Sequence, residues 1–402
     1  MNNINKKPTA KNKREFVTDS WSYPKKKEEW SELYVLIALL AEGKLYQSDF
    51  ELKKDSNNVY DIIKAYKSES DYNLEFDRNE KIVLSKIEKD KIEHIGSFSI
   101  ADLEKVSKIL YKGIKDGKGK SFAIINVDDF IQAAQIQKLK ANANVKADIR
   151  LKFNDHRFNN ETNLGFSIKS LLGGDSTLFK TGAGNNFIYS VENKLSETIL
   201  EFNKRTYKPS GGLSKLTYRL QELVKIGATL TFKNIQSPQL WKNLKMVDGD
   251  LPDILAWALY YRWIYREPGF SEISAILEKK DPLNFYDNQP SEQKLYEYKL
   301  KRFLTEAAMG MTSETPWLGE YDSFGGVIIA KNDGDIVCFH IYDFNLFRNY
   351  LIKNTKFEQP STGEDNSIPG TPRQTGKNYH YGWLFENKNE LYFKINLQVR
   401  FK

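Results

Sequence analysis

Asp148 in "ADIRLKF" and Lys169 in "LGFSIKS" each stand on a short alternation of polar and apolar residues. Read as strands, these stretches send successive side chains to opposite faces. Ile149, Leu151 and Phe153 share one face of the first, with Asp148, Arg150 and Lys152 on the other. Leu164, Phe166 and Ile168 share one face of the second, with Gly165, Ser167 and Lys169 on the other. The polar run "NDHRFNNETN" between them reads as a turn, so residues 146–170 are expected to form a hairpin. A core shared by both apolar faces projects Asp148 and Lys169 to the same side. An acid and a lysine so placed suit metal-assisted cleavage of a phosphodiester. The acid holds Mg²⁺, which polarises the phosphate and lowers the pKa of a bound water. The lysine positions that water and offsets developing charge. Mg²⁺ prefers oxygen ligands and keeps several waters, so few protein carboxylates suffice.

The plainer reading is a surface ion pair, and Glu-any-Lys recurs at Glu278–Lys280 and Glu297–Lys299. A literal Pro252-Asp253 even precedes Glu278 and Lys280. That pairing is a decoy. Pro252 and Asp253 suit the first turn of a helix, and residues two apart on a helix do not face together.

Other chemistries are poorly served. The single cysteine, Cys338, rules out thiolate metal sites and disulfides. His94, His156, His340 and His380 show no ligand spacing, and "GGDSTLFKTGAGNN" lacks the phosphate-loop and dinucleotide signatures.

Several elements must position the hairpin. "EEWSELYVLIALLAEGK" reads as a helix buried on most sides, stopped by Gly43, with Glu32 as a carboxylate in need of a partner. Residues 59–100 alternate as a small antiparallel region. "SIADLEKVSKILYKGIKDG" is a helix with Ser99 as N-cap. "SFAIINV" reads as a strand and "DDFIQAAQIQKLKA" as a helix. Residues 213–310 read as mostly helical. Residues 324–402 hold a hairpin around Asn332-Asp333-Gly334, a helix "FNLFRNYLIKN", a polar loop from Gln359 to Lys377 and closing strands. The mixture predicts one α/β (α+β) body over residues 29–402.

Residues 1–28 carry eight Lys/Arg against three Asp/Glu, most of the chain's net charge of +7. They read as a flexible basic tail, with a phosphate-binding arm as the functional alternative. No apolar run approaches the roughly 20 residues that span a bilayer, and the start has no apolar segment of the secretory kind. A soluble cytoplasmic protein is expected.

At these residues the chain resembles a known family. "EEWSELYVLIALLAEGKLY", "ADIRLKFNDHR…LGFSIKS", "NNFIYSV", "GDIVCFHIY", "NTKFEQPST" and "KINLQVRF" are similar to blocks of HpaII-type restriction endonucleases. The resemblance runs in order from about residue 28 to the C-terminus. It implies a type II, Mg²⁺-dependent restriction endonuclease of the PD-(D/E)xK nuclease superfamily, cytoplasmic in a bacterium. It implies a mixed central sheet flanked by helices, with the hairpin at its centre. Asp148 matches the strand acid and metal ligand, and Lys169 the final lysine. Ser167 occupies the place of the second acid, and Ile168 lends a backbone carbonyl to the metal. Glu32 matches a helix acid that often completes such sites, and Asp155 is the rival metal-binding acid. Ala147 stands where the superfamily has Pro.

The implied substrate is double-stranded DNA with a short, palindromic site, cut by a homodimer or higher homo-oligomer. A cognate DNA methyltransferase would be the genetic partner. Arg157, Asn159, Asn185, Asn186, Arg373 and Gln374 are the candidate DNA contacts. The alternative is a catalytically weak or inactive DNA-binding protein of the same fold, suggested by the missing acid at Ser167.

Overall fold

The computed structural model describes residues 24–402, except 90, 140–146, 158–159, 175–176, 193–196, 207–211, 290, 321–324 and 360–380. Most of the basic tail therefore lies outside the described residues.

The first helix, Lys27–Glu42, buries Trp30, Leu33, Val35, Leu36, Ile37, Leu39 and Leu40. It ends where the sequence predicts. Gly43 adopts the left-handed conformation (φ 74°), and its N–H reaches Leu39 O at 2.8 Å. A second helix, Ile100–Asp116, packs against it. Its N-cap is Ser99, whose hydroxyl accepts from Asp102 N at 3.1 Å.

Six strands surround this core. Lys44–Ser48, Ile336–His340, Gly326–Ala330, Asn160–Ser170, Ile149–Asp155 and Lys54–Ser68 pair in that order. Lys54–Ser68 then pairs back onto Lys44–Ser48, so the six close into a barrel-like ring. Two pairings, Asn160–Ser170 with Gly326–Ala330 and Ile336–His340 with Lys44–Ser48, are parallel; the other four are antiparallel. The expected small antiparallel region proves to be an extension of this sheet. Asn73–Arg78, Lys81–Glu88 and Lys91–Ser99 continue outward from Lys54–Ser68. The sheet is mixed, as the family resemblance implies, but it curls on itself because its last ring strand returns to the first.

The Gly326–Ala330 and Ile336–His340 hairpin separates two cores. Ile328, Ala330, Ile336 and Cys338 face the first, among the residues of the Lys27–Glu42 helix. Val327, Ile329, Val337 and Phe339 face the second. That double burial explains the unbroken apolar runs "GVIIA" and "IVCF". Each of the Val, Ile and Phe side chains contributes about 1.5–3 kcal/mol relative to exposure.

The second core is mostly helical. Helices Lys215–Lys225, Pro238–Val247, Leu251–Ile264, Phe270–Lys280, Leu295–Ala308 and Phe344–Asn354 enclose it. A four-stranded sheet, ordered Thr229–Ile235, Asn186–Glu192, Glu390–Asn396, Leu384–Asn387, covers one side. Pro252 and Asp253 open a helix, and Glu278 caps another by accepting Glu297 N–H at 2.9 Å. The literal Pro-Asp motif is therefore structural.

Three local expectations are corrected. "SFAIINV" forms a strand only at Ser121–Phe122, paired with Lys25–Lys26, because Asn126 turns to φ 74°. Among its described residues, "DDFIQAAQIQKLKA" is helical only over Asp128–Ala133, since Gln135 adopts φ 51°. The helical stretch 213–310 contains the strand Thr229–Ile235. Among the described residues, no helix is long and apolar enough to cross a membrane.

Candidate active site

The hairpin forms as its alternation dictates. Ile149 pairs with Phe166, Leu151 with Leu164 and Phe153 with Thr162. Ile149, Leu151, Phe153 and Phe166 all enter the first core. Asp148 stands just before the first strand, in register with Ser167, and its N–H donates to Phe166 O at 2.9 Å. The backbone ladder then gives way to the side chain. Asp148 Oδ2 accepts from Ile168 N–H at 2.7 Å and from Ser167 Oγ at 3.1 Å. A short bond from a backbone amide to a carboxylate is of the stronger, charge-assisted kind. It satisfies an amide that has run past the end of its partner strand.

Lys169 follows Ser167 by two residues and pairs in register with Ile329. By alternation it shares the face of Ser167 and is half-buried. That face lies toward the second core, as Val327 and Ile329 do beside it. The structure therefore brings together Asp148, Ser167 and the Ile168 backbone, with Lys169 next along the same face. Glu32 is half-buried on the first helix. That helix packs against the hairpin on the side of Phe166 and Ile168, opposite Ser167 and Lys169. Among the described residues, no three carboxylate, imidazole or thiol side chains gather into a metal-holding group.

The sequence model of the HpaII restriction endonuclease family matches residues 26–401. The chain belongs to the HpaII restriction endonuclease family. It is 30% identical over 376 residues to the type II restriction enzyme HpaII of Haemophilus parainfluenzae, covering 93% of this chain and 97% of that enzyme. No solved structure matches it.

Within this HpaII-family chain the rival acid is held in an ion pair. Asp155 lies at the far end of its strand, about 23 Å from Asp148 at ~3.3 Å per residue. It is 3% exposed and sits on the apolar face, as its parity predicts. Arg157 explains the burial. Its Nε and Nη2 each donate to Asp155 at 3.3 Å, and its backbone N–H donates to Oδ1 at 3.0 Å. Its Nη1 reaches Asp343 at 2.7 Å, and Nη2 reaches Tyr60 Oη at 2.7 Å. Behind them His340 is buried and stacks on Tyr60. Burial, and then the nearby Arg157 cation, push its imidazole down to about 4, so it is neutral near pH 7. Arg157 thus locks one end of the ring, with 23% of its side chain still exposed.

Two further DNA-contact candidates turn inward. Asn185 is fully buried, donating to Lys180 O at 2.7 Å and Leu397 O at 3.0 Å. Asn186 is also fully buried and bonded to Gln236 and Asn396. Their amides satisfy the fold, and neither reaches the surface to meet a base. Asn159, Arg373 and Gln374 lie outside the described residues.

Ser167 contributes one hydrogen bond to Asp148, a bond worth about 1 kcal/mol. Ser167→Ala is expected to keep cleavage within roughly tenfold of wild type, because Ile168 N–H still holds the carboxylate. Initial cleavage rates on a plasmid substrate measure this. Loss of all activity would give the hydroxyl a larger part than orienting Asp148.

Proposed function

We propose that this chain cuts double-stranded DNA at a short, palindromic site with Mg²⁺, using the end of the 149–170 hairpin. The observation that supports it is the docking of Asp148 on Ser167 and the Ile168 amide, with Lys169 next along the same face.

The donors here suit a hard cation. A carboxylate, a hydroxyl and a backbone carbonyl are all oxygen ligands, and Mg²⁺ needs few from the protein. Asp148 would hold it. Ile168 would add its carbonyl, since a strand residue turns its N–H and C=O to the same edge and its N–H already meets Asp148. Glu32 is the helix acid proposed to complete the set; because its helix packs on the other face of the hairpin, it would have to reach Asp148 round the strand end. When bound, the ion polarises the phosphate and makes water a better nucleophile. Lys169 orients the attacking water and sets its ammonium against charge growing on the phosphate oxygens. Ser167 and the Ile168 amide hold the Asp148 carboxylate in one orientation, so little reorganisation is needed as the P–O bond breaks and water adds.

A palindromic site has two-fold symmetry, so a homodimer presents one hairpin to each strand. A methyltransferase of matching specificity would protect the host's DNA, and the cytoplasm is where both would act. A second reading is a DNA-binding protein with a weak or dead centre. It draws on Ser167 in the place of an acid and on the lack of a three-acid cluster among the described residues.

Digestion of phage DNA separates the two. Discrete fragments with Mg²⁺, and intact DNA when EDTA is added, are expected. A gel shift without cutting under every metal tested would favour the binding protein.

A further inference from the structure

The outer face of the four-stranded sheet carries an unusual cation. Lys394, half-buried on Glu390–Asn396, donates to Gln236 Oε1 at 3.1 Å and lies 4.9 Å from the Phe385 ring centre. Among the described residues no carboxylate meets it. Burial lowers the pKa of its ammonium, as expected for a cation held on neutral partners.

Its partner Gln236 is exposed and follows the strand Thr229–Ile235. Two independent constraints orient the Gln236 amide. An ammonium can only donate, so the atom facing Lys394 is the oxygen. A buried relay reaches the same result. The carbonyl of Gly182 can only accept, which fixes Asn396 Nδ2 there at 2.8 Å. Thr181 Oγ1 donates to Asn396 Oδ1 at 2.7 Å. Asn396 Nδ2 also donates to Asn186 Oδ1 at 2.8 Å, which leaves Asn186 Nδ2 to donate to Gln236 Oε1 at 3.0 Å. With Oε1 accepting two bonds, the Gln236 NH₂ group is turned away from both donors.

The rim of this sheet therefore offers two donors joined through one shared oxygen: the Gln236 amide nitrogen and the Lys394 ammonium. In the major groove guanine alone presents two adjacent acceptors, O6 and N7. Adenine pairs one acceptor with an amino group that these donors would repel. A phosphate would accept the lysine but gives no reason for an amide locked in one orientation.

We propose that Gln236 and Lys394 read a guanine in the major groove of the substrate, with Asn186 and Asn396 as positioning residues. The proposal rests on the DNA-cleavage reading above.

The test uses the full chain, first on a randomised duplex pool with Mg²⁺. It then uses duplexes carrying 7-deazaguanine, which lacks N7, at each guanine of the selected site. Wild type should lose about tenfold in cleavage at one such guanine. Gln236→Ala and Lys394→Met should each lose about 10- to 100-fold on the natural site. They should relax the preference at that same position, with little further loss on 7-deazaguanine. Asn186→Asp, which replaces the relay's donor by an acceptor, should relax the same position and no other. A pure packing role would not produce that pattern. Thermal melts confirm that the variants fold.

Uniform weakening across all sequences, with a shallower salt dependence, would mark a phosphate contact and overturn the proposal. Unchanged preference in both variants would overturn it as well, leaving the endonuclease reading intact. A wild type that neither cuts nor binds the pool would overturn both.

Discussion

Lys169→Ala is expected to bind duplex DNA as wild type does and to cut it at least about a thousandfold more slowly. Removing one preorganised donor from a site of developing charge typically costs about 10²–10³ in rate, and here a full cation is lost. The fold should tolerate the change, because Lys169 is only half-buried and its strand is held by pairing on both sides. Asp148→Asn is the companion. The amide oxygen of Asn can still accept from Ile168 N–H and Ser167 Oγ, so the local structure survives while the negative charge is lost. Cutting should fail with binding retained. Glu32→Gln should slow cutting more than Ser167→Ala does, if its carboxylate serves as the second ligand. Single-turnover cleavage beside gel-shift affinity in Ca²⁺ separates these effects. Normal cutting by Asp148→Asn and Lys169→Ala together would remove the chemistry from this hairpin.

Breaking the lock at the other end of the strand should unfold rather than inactivate. Arg157→Met leaves the buried Asp155 carboxylate without its cation and removes the partner of Asp343. Loss of one member of a buried pair costs about 3–5 kcal/mol. Arg157 and Asp343 are partly solvated, so a cost below that range, about 2–3 kcal/mol, is expected. Asp155→Asn should cost less, since it stays hydrogen-bonded to Arg157. Urea midpoints at fixed m-value measure both. An Asp155→Asn protein of wild-type stability that binds DNA but cannot cut would instead make Asp155 the metal acid.

Much of this centre was legible because strand alternation is local. Asp148, Ser167 and Lys169 fall on a predictable parity once Ile149, Phe166 and their neighbours are assigned to the core. The parity of Asp155 was equally readable, but its purpose was not, because Tyr60 and Asp343 come from distant parts of the chain. The ring was invisible for the same reason. Nothing in "KLYQS" announces a parallel partner in "IVCFH". The paired asparagines Asn185 and Asn186 read as candidate DNA contacts, since polar residues usually lie at the surface. Only the folded arrangement supplies the carbonyls and amides that let them be buried. Gln236 carried no motif, and Lys394 opens the block "KINLQVRF" with no sign of its role; their pairing depends on segments that lie far apart in the chain. "SFAIINV" failed as a strand because apolar composition cannot reveal that Asn126 will turn the backbone.

The closed ring also sets a schedule for the newly made chain. Gln47 accepts from the backbone of His340, 293 residues away, and the Lys44–Ser48 strand finds its parallel partner only in Ile336–His340. Contacts of such separation form late and slowly, because a long loop must close before they return any energy. As the polypeptide leaves the ribosome, the hairpin bearing Asp148 and Lys169 emerges well before the Gly326–Ala330 strand that flanks Lys169. The proposed centre is therefore assembled only after most of the chain has been synthesised.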